Sequence, residues 1–295
     1  MLFHEICGQD DAISLLRNAV TTERVGHAYL FAGPEGVGKF CSAIAFTHAL
    51  LCEDREKLGC LSCNSCLSIK ARVHPNFMIL APSPGTKSLV IAQAREAKRF
   101  LGMRATGSTR KIVIIDQAHA LTLQAQSALL KVLEDPPANS ILLLVATTAA
   151  GFSAPFLSRC QQVRFLGLST EHIETIVKDL ADLDAETVNL VARYARGSIG
   201  KALLLHAPTL EEELEYVTNF LGNLGSSSFT RLSEFAGWII ADRVNHAKNK
   251  HDDTKLQHGR RLELVLTWYQ ERLRYCLVGG EGVTLYSRWL PALTT

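Results

Sequence analysis

The sequence has no apolar run long enough to cross a membrane. Its longest candidates, Ile141–Ala150 and Ala43–Cys52, fall short of the roughly 18 residues that a span needs, and they carry Thr or His. The first residues, Met1–Glu5, lack the positive charge and the following apolar stretch of a secretory signal. We therefore expect a cytoplasmic protein without membrane contact.

Compositional bias and internal repeats are also missing. Hydrophobic residues make up 47% of the chain and charged residues 20%, which excludes a disordered chain and a coiled coil. The length of 295 residues predicts two or three domains. The net charge is only +2, although residues 1–164 carry 17 Lys and Arg against 12 Asp and Glu. This basic front part allows a polyanionic partner but does not indicate one.

The front part alternates between two patterns. Short apolar runs predict buried strands at Ala28–Ala32, Phe77–Leu80, Lys111–Ile115 and Ile141–Val145. Apolar residues at three- and four-residue spacing predict helices at Lys39–Leu51, Ile91–Leu101 and Leu123–Leu133. Strands and helices in alternation indicate an α/β fold with a parallel sheet covered by helices.

After Phe165 the strand pattern ends and helical spacing takes over. Helices are predicted over 170–183, 185–195, 199–206, 210–223, 228–248 and 258–277. Gly197, Pro208 and Gly225–Ser228 separate them. We expect an α/β domain at 1–164, a small helical domain at 165–207 and a larger helical domain at 208–295.

A phosphate-binding loop is predicted directly after the first strand. Residues 33–39 fit the pattern G-x-x-x-x-G-K between a strand and a helix, which is the context that this motif requires. Gly33, Gly36 and Gly38 allow backbone N–H groups to converge on a phosphate, and Lys39 can reach the outer phosphates. The alternative is a glycine turn that binds no ligand.

Two parts of a hydrolytic site are missing around this loop. Phe40 stands where Ser or Thr would coordinate Mg²⁺, and a phenyl ring cannot bind a hard cation. Asp116 ends a buried strand, as a Walker B aspartate does, but Gln117 follows it in place of a glutamate base. Because a general base contributes ~10²–10⁴ in rate, we expect no ATPase activity from this chain alone. Weak binding of ATP or ADP stays open.

Half of the cysteines fall in one polar loop with the spacing of a structural zinc site. They are Cys52, Cys60, Cys63 and Cys66. Four thiolates would close a tetrahedral shell, so this zinc module, at about 52–66, would brace the surface rather than perform chemistry. A redox pair and disulfides are the alternatives, and a reducing cytosol disfavours disulfides. Buried or half-buried thiols are predicted for the scattered Cys7, Cys41, Cys160 and Cys276.

Several motifs occur together in this chain: Gly8-Gln9, His27–Phe31, the phosphate loop, the cysteine quartet, Leu129–Pro137 and Ser158–Cys160. Together they resemble the bacterial DNA polymerase III clamp-loader subunits, which are AAA+ proteins. The resemblance covers residues 1 to about 207. It implies that the front part is an AAA+ domain with an inserted zinc module. It also implies that 165–207 form a helical lid and 208–295 a helical collar for oligomerisation.

Within that family, Phe40 and Gln117 depart from the gamma/tau motors and resemble the delta prime type, the stator of the loader. The implied function is that of a non-hydrolysing subunit that helps load a sliding clamp onto primed DNA during replication. The implied partners are the gamma/tau and delta subunits, the beta sliding clamp and primed DNA. Contact with DNA would be mainly to phosphates.

The resemblance also assigns roles to single residues. Arg159 matches an arginine finger that reaches the γ-phosphate of a neighbouring subunit, a contribution worth ~10³–10⁵ in rate. A salt-bridged surface arginine is the alternative. Thr148 matches the sensor 1 position, and Lys201 lies in the sensor 2 region or is a solvated helix residue. The pair Glu134-Asp135 is predicted to be a solvated helix end without a catalytic role.

Two other functions remain as alternatives. The first is an ATP-hydrolysing gamma/tau-like motor in which Ser42 or water replaces the missing metal ligand. The second is a stand-alone zinc-containing protein that binds DNA. Hydrolysis that is lost on Lys39→Ala would favour the motor, whereas tight DNA binding without a motor partner would favour the second.

Overall fold

The computed structural model describes residues 1–54, 56–83, 86–107, 110–180, 185–205, 210–224, 228–240, 259, 261–270 and 273. The chain divides into two compact units, Met1–Ser169 and Thr170–Thr295. A division of the second unit into lid and collar stays a prediction. Within the described part of the chain, no helix is both long and apolar enough to cross a bilayer.

The described residues of the first unit form a parallel sheet of five strands. These are β1 (Ala28–Ala32), β2 (Phe77–Leu80), β3 (Lys111–Ile115), β4 (Ser140–Ala146) and β5 (Gln161–Arg164). Their order across the sheet is β2-β3-β4-β1-β5, and all neighbours run parallel. The predicted α/β fold class is confirmed.

Helices cover both faces of this sheet. They are α1 (Asp10–Thr21), α2 (Lys39–Leu51), α3 (Asn64–Lys70), α4 (Ile91–Leu101), α5 (Leu123–Glu134) and α6 (Ala154–Leu157), with short 3₁₀ turns at Phe3–Glu5 and Ala118–Ala120. Tyr29 and Phe31 point into an apolar core with α1 and α2. Leu30 points to the opposite core, which contains α4 and α5. Burial on both faces explains why the strands read as continuous apolar runs.

The sheet order brings distant parts of the sequence to one edge. β3, β4 and β1 are adjacent and parallel, so their carboxyl ends lie side by side. Asp116 follows β3, Thr148 lies just beyond β4, and the phosphate loop follows β1. The carboxyl edge of a parallel sheet is the usual position of a ligand site in α/β folds.

The described residues of the second unit form helices joined by short turns. It contains α7 (Thr170–Leu180), α8 (Ala185–Ala195), α9 (Ile199–Leu205), α10 (Leu210–Gly222) and α11 (Phe229–Ile240), and residues 261–270 are also helical. Phe220 of α10 stacks on Phe235 of α11 with ring centroids 3.9 Å apart. The Arg261 guanidinium lies 4.9 Å from the ring centroid of Trp238. Parts of the predicted helices 170–183, 199–206, 228–248 and 258–277, together with Pro208 and residues 225–227, lie outside the described residues.

Candidate functional site

The phosphate loop is a tight turn between β1 and α2 that has little room for larger residues. Gly36 and Gly38 have φ values of 72° and 94°, in the left-handed region that favours glycine. A Cβ at Gly33 would lie 2.2 Å from the carbonyl oxygen of Phe165, just beyond β5. The loop is therefore packed directly against the segment that leaves the sheet.

A buried amide ties the same two segments together. Gln9 is only 4% exposed. Its Nε2 donates to the carbonyl oxygens of Val37, at 3.3 Å, and Leu166, at 2.7 Å. Its Oε1 accepts from the Leu166 N–H at 3.1 Å. The sequence offered Gln9 only as part of a family motif, because a contact between residues so far apart leaves no periodic signal.

The Lys39 side chain turns back onto its own loop. Its Nζ donates to the carbonyl oxygens of Gly33, at 2.8 Å, and Pro34. Burial lowers the pKa of Lys39, while the charges of Glu35 and Asp116 act to raise it. The ammonium group therefore lies over the loop and within the electrostatic reach of Asp116.

Neither the residue at the magnesium-ligand position, Phe40, nor its suggested replacement, Ser42, is placed to bind a metal ion. Phe40 is half-buried and packs against the apolar core on the α2 side of the sheet. Ser42 is fully buried, and its hydroxyl donates to the carbonyl oxygen of Gly38 at 2.9 Å. Serine commonly makes this bond to the preceding helical turn. In this conformation the Ser42 hydroxyl is engaged with its own helix.

Asp116 and Thr148 lie at the same sheet edge with local hydrogen bonds. The Asp116 carboxylate accepts from the Gln117 N–H at 2.9 Å. Gln117 is exposed and has a φ of 50°. Thr148 is exposed, and its hydroxyl oxygen accepts from the Ala150 N–H at 3.1 Å. The roles of Asp116 and Thr148 toward a nucleotide stay predictions.

The four predicted metal ligands come together. The sulfur atoms of Cys52, Cys60, Cys63 and Cys66 all lie within 4.8 Å of one another. The Sγ atoms of Cys52 and Cys63 are 4.0 Å apart, close to the roughly 3.8 Å that tetrahedral Zn–S bonds of ~2.3 Å imply. Backbone N–H groups of Cys63 and Cys66 donate to the sulfurs of Cys60 and Cys63 at 3.2 and 3.4 Å. This donor set fits a tetrahedral metal ion.

The thiols of this cluster differ in acidity, and one other cysteine departs from expectation. Hydrogen bonds from Ser62 are the main cause that lowers the pKa of Cys60 to about 6, whereas burial raises the pKa of Cys52 to about 12. Cys160 is buried and Cys41 half-buried, as predicted. The prediction for Cys7 was wrong: it is exposed, because it lies in the short segment between the Phe3–Glu5 turn and α1. Cys276 lies outside the described residues.

Arg159 lies just after α6 and is held by its own chain. Its Nη1 donates to the Pro155 carbonyl oxygen at 2.8 Å and to the Ser158 hydroxyl at 3.2 Å. Its Nη2 lies 3.1 Å from Oε1 of Glu134. The sequence pattern predicted only a solvated helix end at Glu134. An ion pair between separate segments could not be found from spacing.

Lys201 also has a partner within its own unit. Its ammonium group forms an ion pair with Glu263, and its backbone N–H donates to the Ser198 hydroxyl at 3.2 Å. Lys201 is therefore a paired residue near the start of α9, and its side chain is still 38% exposed. A contact between Lys201 and a nucleotide stays a prediction.

Comparison with known proteins agrees with this architecture. The family model "DNA polymerase III, delta subunit" matches residues 8–169, more than half of the chain. The chain belongs to this family. It is a member of the clamp-loader AAA+ proteins of DNA polymerase III, and the family resemblance of its motifs is confirmed.

Curated relatives of this clamp-loader protein include both types of subunit. The delta' subunit of Pseudomonas aeruginosa is 32% identical over 189 residues, which cover 63% of this chain and 58% of the relative. The tau subunit of Bacillus subtilis is 28% identical over 293 residues, which cover 95% of this chain and 52% of the relative. The chain thus spans little more than half the length of these relatives.

Solved structures overlap with the clamp-loader protein over nearly its whole length but at low similarity. The RuvB Holliday junction branch migration motor of Thermotoga maritima has a TM-score of 0.46 at 16% identity, covering 99% of this chain and 89% of its own. A DNA polymerase III gamma subunit-related protein from Thermotoga maritima has a TM-score of 0.45 at 15% identity, covering 95% and 92%. Family membership rests on the sequence model rather than on these overlaps.

Proposed function

We propose that this clamp-loader protein is the non-hydrolysing stator, of the delta prime type, of a DNA polymerase III clamp loader. It lends Arg159 to a neighbouring gamma/tau motor and helps place the beta sliding clamp on primed DNA, together with a delta subunit. The observation that supports this most directly is the position of Phe40. Its half-buried ring packs against the core at the position where a motor needs a metal-binding hydroxyl.

The surroundings of the phosphate loop support the loss of hydrolysis. Gln117 follows Asp116, and a carboxamide cannot take a proton from water at neutral pH. The missing base alone costs ~10²–10⁴ in rate. Bound phosphate would also have to draw the Lys39 ammonium away from the Gly33 and Pro34 carbonyl oxygens. We therefore expect weak binding of ATP or ADP and no turnover.

The exposure of Arg159 supports a role toward a neighbour. Its side chain is 35% exposed, so the guanidinium is accessible from outside the chain. A guanidinium brought to the γ-phosphate of another subunit stabilises the charge of the transition state by ~10³–10⁵ in rate. The catalysis would take place in the neighbouring motor.

A gamma/tau-like motor is the second candidate. The similarity to tau of Bacillus subtilis over 95% of this chain favours it. The motor requires a metal ligand in place of Phe40, and the Ser42 hydroxyl is already bonded to Gly38. Family membership disfavours the third hypothesis, a stand-alone DNA-binding protein.

Steady-state ATP hydrolysis by the purified chain separates stator from motor. We expect no hydrolysis above background, no change on Lys39→Ala, and full clamp loading on primed DNA once gamma/tau and delta subunits are added. Motor-like hydrolysis that disappears in Lys39→Ala would reject the stator and establish the motor.

We also propose that Cys52, Cys60, Cys63 and Cys66 hold a structural zinc ion. Four sulfur ligands complete a tetrahedral shell, so no position remains for a reacting water molecule. The ion would tie the end of α2 to the start of α3, since Cys52 and Cys63 flank these helices. It would stabilise this surface without taking part in catalysis.

Metal analysis of purified protein tests the zinc assignment. We expect one zinc ion per chain, its loss in Cys63→Ser, and a lower melting temperature in that variant. Cys7→Ser is the matched control, since Cys7 is an exposed thiol outside the cluster, and it should keep the metal. A metal-free wild type that is stably folded would contradict the assignment.

A further inference from the structure

The Arg159 guanidinium is fixed between the ends of two helices. Glu134 is the last residue of α5, and Arg159 comes two residues after the end of α6. Nη1 satisfies the carbonyl oxygen of Pro155 in α6, and Nη2 pairs with the Glu134 carboxylate at 3.1 Å. Carbonyl groups in the last turn of a helix have no partner within the helix, so a cation is favourable there.

These contacts use only part of the hydrogen-bonding capacity of the side chain. A guanidinium has five N–H donors. Contacts among the described residues engage three of them, toward Pro155, Ser158 and Glu134. Two donors have no partner in the described part of the chain, so they can bind an incoming anion while the other three fix the plane of the group.

The ion pair is weak enough to coexist with a new partner. The Glu134 side chain is 52% exposed and that of Arg159 is 35% exposed. Pairs as accessible as this one favour a single arrangement by no more than about fivefold. Such a pair can favour one conformer of Arg159. It cannot prevent the guanidinium from binding a phosphate that offers several charged oxygens.

We propose that Glu134 is a positioning residue for Arg159, an inference that rests on the proposed function of Arg159. The carboxylate holds the guanidinium against the end of α6. A long, flexible side chain thereby meets the neighbour's phosphate from one conformer rather than from many. Orientation fixed before the reaction lowers the entropic part of the barrier.

The direction of the rate change in a Glu134 variant distinguishes a positioning role from competition with the phosphate. If Glu134 mainly competed with the phosphate, removing its charge would free Arg159 and raise the rate of the motor. If Glu134 positions Arg159, removing the carboxylate lowers the rate. A glutamine at 134 keeps an acceptor oxygen and should retain most of the effect.

ATP hydrolysis by the reconstituted loader on primed DNA with the sliding clamp gives the first test. We expect Glu134→Ala to lower kcat at the adjoining motor site about three- to fivefold with KM for ATP unchanged, because the finger acts only in the transition state. Glu134→Gln should lose less than about twofold, and Asp135→Asn, a matched exposed acid, should behave as wild type. A rate increase in Glu134→Ala would overturn the proposal.

A double-mutant cycle separates positioning from a general structural effect. If Glu134 acts through Arg159, then Glu134→Ala has no further effect once Arg159→Ala is present. A threefold to fivefold loss that persists in the Arg159→Ala background would overturn the proposal.

Labelling of Arg159 in the isolated chain tests the pair without a motor. Modification by phenylglyoxal, followed at the peptide level by mass spectrometry, should be several-fold faster in Glu134→Ala than in wild type or Asp135→Asn. An unchanged labelling rate would overturn the positioning role alone. If labelling responds but Arg159→Ala leaves the motor unaffected, the pair exists and the proposed function fails.

Discussion

Lys39 and Arg159 both donate to backbone carbonyl groups, but their side chains differ in exposure to solvent. Lys39 is 6% exposed and donates into its own phosphate loop. Arg159 has a side chain that is 35% exposed and rests on a helix end and a surface carboxylate. The Lys39 ammonium is therefore enclosed by its own chain, whereas the Arg159 guanidinium is accessible from outside the chain.

The residues packed around Lys39 are also less exposed than the residues around Arg159. The phosphate loop is fixed by the close approach of Gly33 to Phe165, by the Gln9 amide and by the half-buried Phe40 ring. Ser158 and the Glu134 partner of Arg159 are exposed. Substitutions in the phosphate loop should therefore change mainly the stability of the chain. Substitutions at Arg159 or Glu134 should change mainly activity.

The largest effect is expected from Arg159→Ala. Hydrolysis at the adjoining motor site should fall by about 10³-fold, because the transition-state charge loses its guanidinium. Melting temperature should change little, since the pair with Glu134 is exposed. Single-turnover hydrolysis in the reconstituted loader measures the change, with Arg164→Ala, an exposed arginine at the end of β5, as the control. An unchanged rate would contradict the finger role of Arg159, and its contrast with Lys39 would then have no functional consequence.

Gly33→Ala tests how tightly the loop is packed. The added methyl would meet the Phe165 carbonyl oxygen at 2.2 Å, so the backbone must shift, at a cost of about 2 kcal/mol or more in the free energy of unfolding. Gly151→Ala, in the segment before α6, meets nothing nearer than 4.0 Å and should stay within about 0.5 kcal/mol of wild type. Urea denaturation of both variants would measure this. Equal stability of the two would contradict the tight packing of the loop.

The smallest effect is expected from Phe40→Thr. Loss of a half-buried ring should lower the free energy of unfolding by about 1–2 kcal/mol. Hydrolysis by the isolated chain should still be absent, because Gln117 cannot act as a base. A turnover assay on Phe40→Thr tests this expectation. Motor-like hydrolysis by this variant would contradict it, because the missing hydroxyl would then be the only defect.

Much of the fold could be predicted because the central strands are buried on both faces. The runs at β1, β2 and β3 matched the observed bounds residue for residue. β5 was missed, since it is an edge strand in which only Val163 is buried. α3 was missed because this short helix of seven residues begins inside the cysteine loop. Strand order could not be predicted, since it depends on packing between segments far apart in sequence.

The features of the candidate site also fall into two groups, local patterns that the sequence predicted and long-range contacts that it did not. The glycine loop and the cysteine spacing are local patterns, so the sequence predicted both, and the four sulfur atoms do come together. The Gln9 anchor and the pairing of Glu134 with Arg159 join distant segments, and they became visible only in three dimensions. The roles of Arg159, Asp116 and Thr148 toward a nucleotide stay predictions.

One consequence follows from the Gln9 amide. Because the Leu166 N–H donates to the same side chain that holds Val37, these segments cannot loosen independently at low cost. Protection of the Leu166 amide proton against deuterium exchange should therefore report the opening of the phosphate loop, although Leu166 lies far from it in sequence. A ligand that tightens the loop would slow the exchange of that single proton and so reveal itself without any turnover.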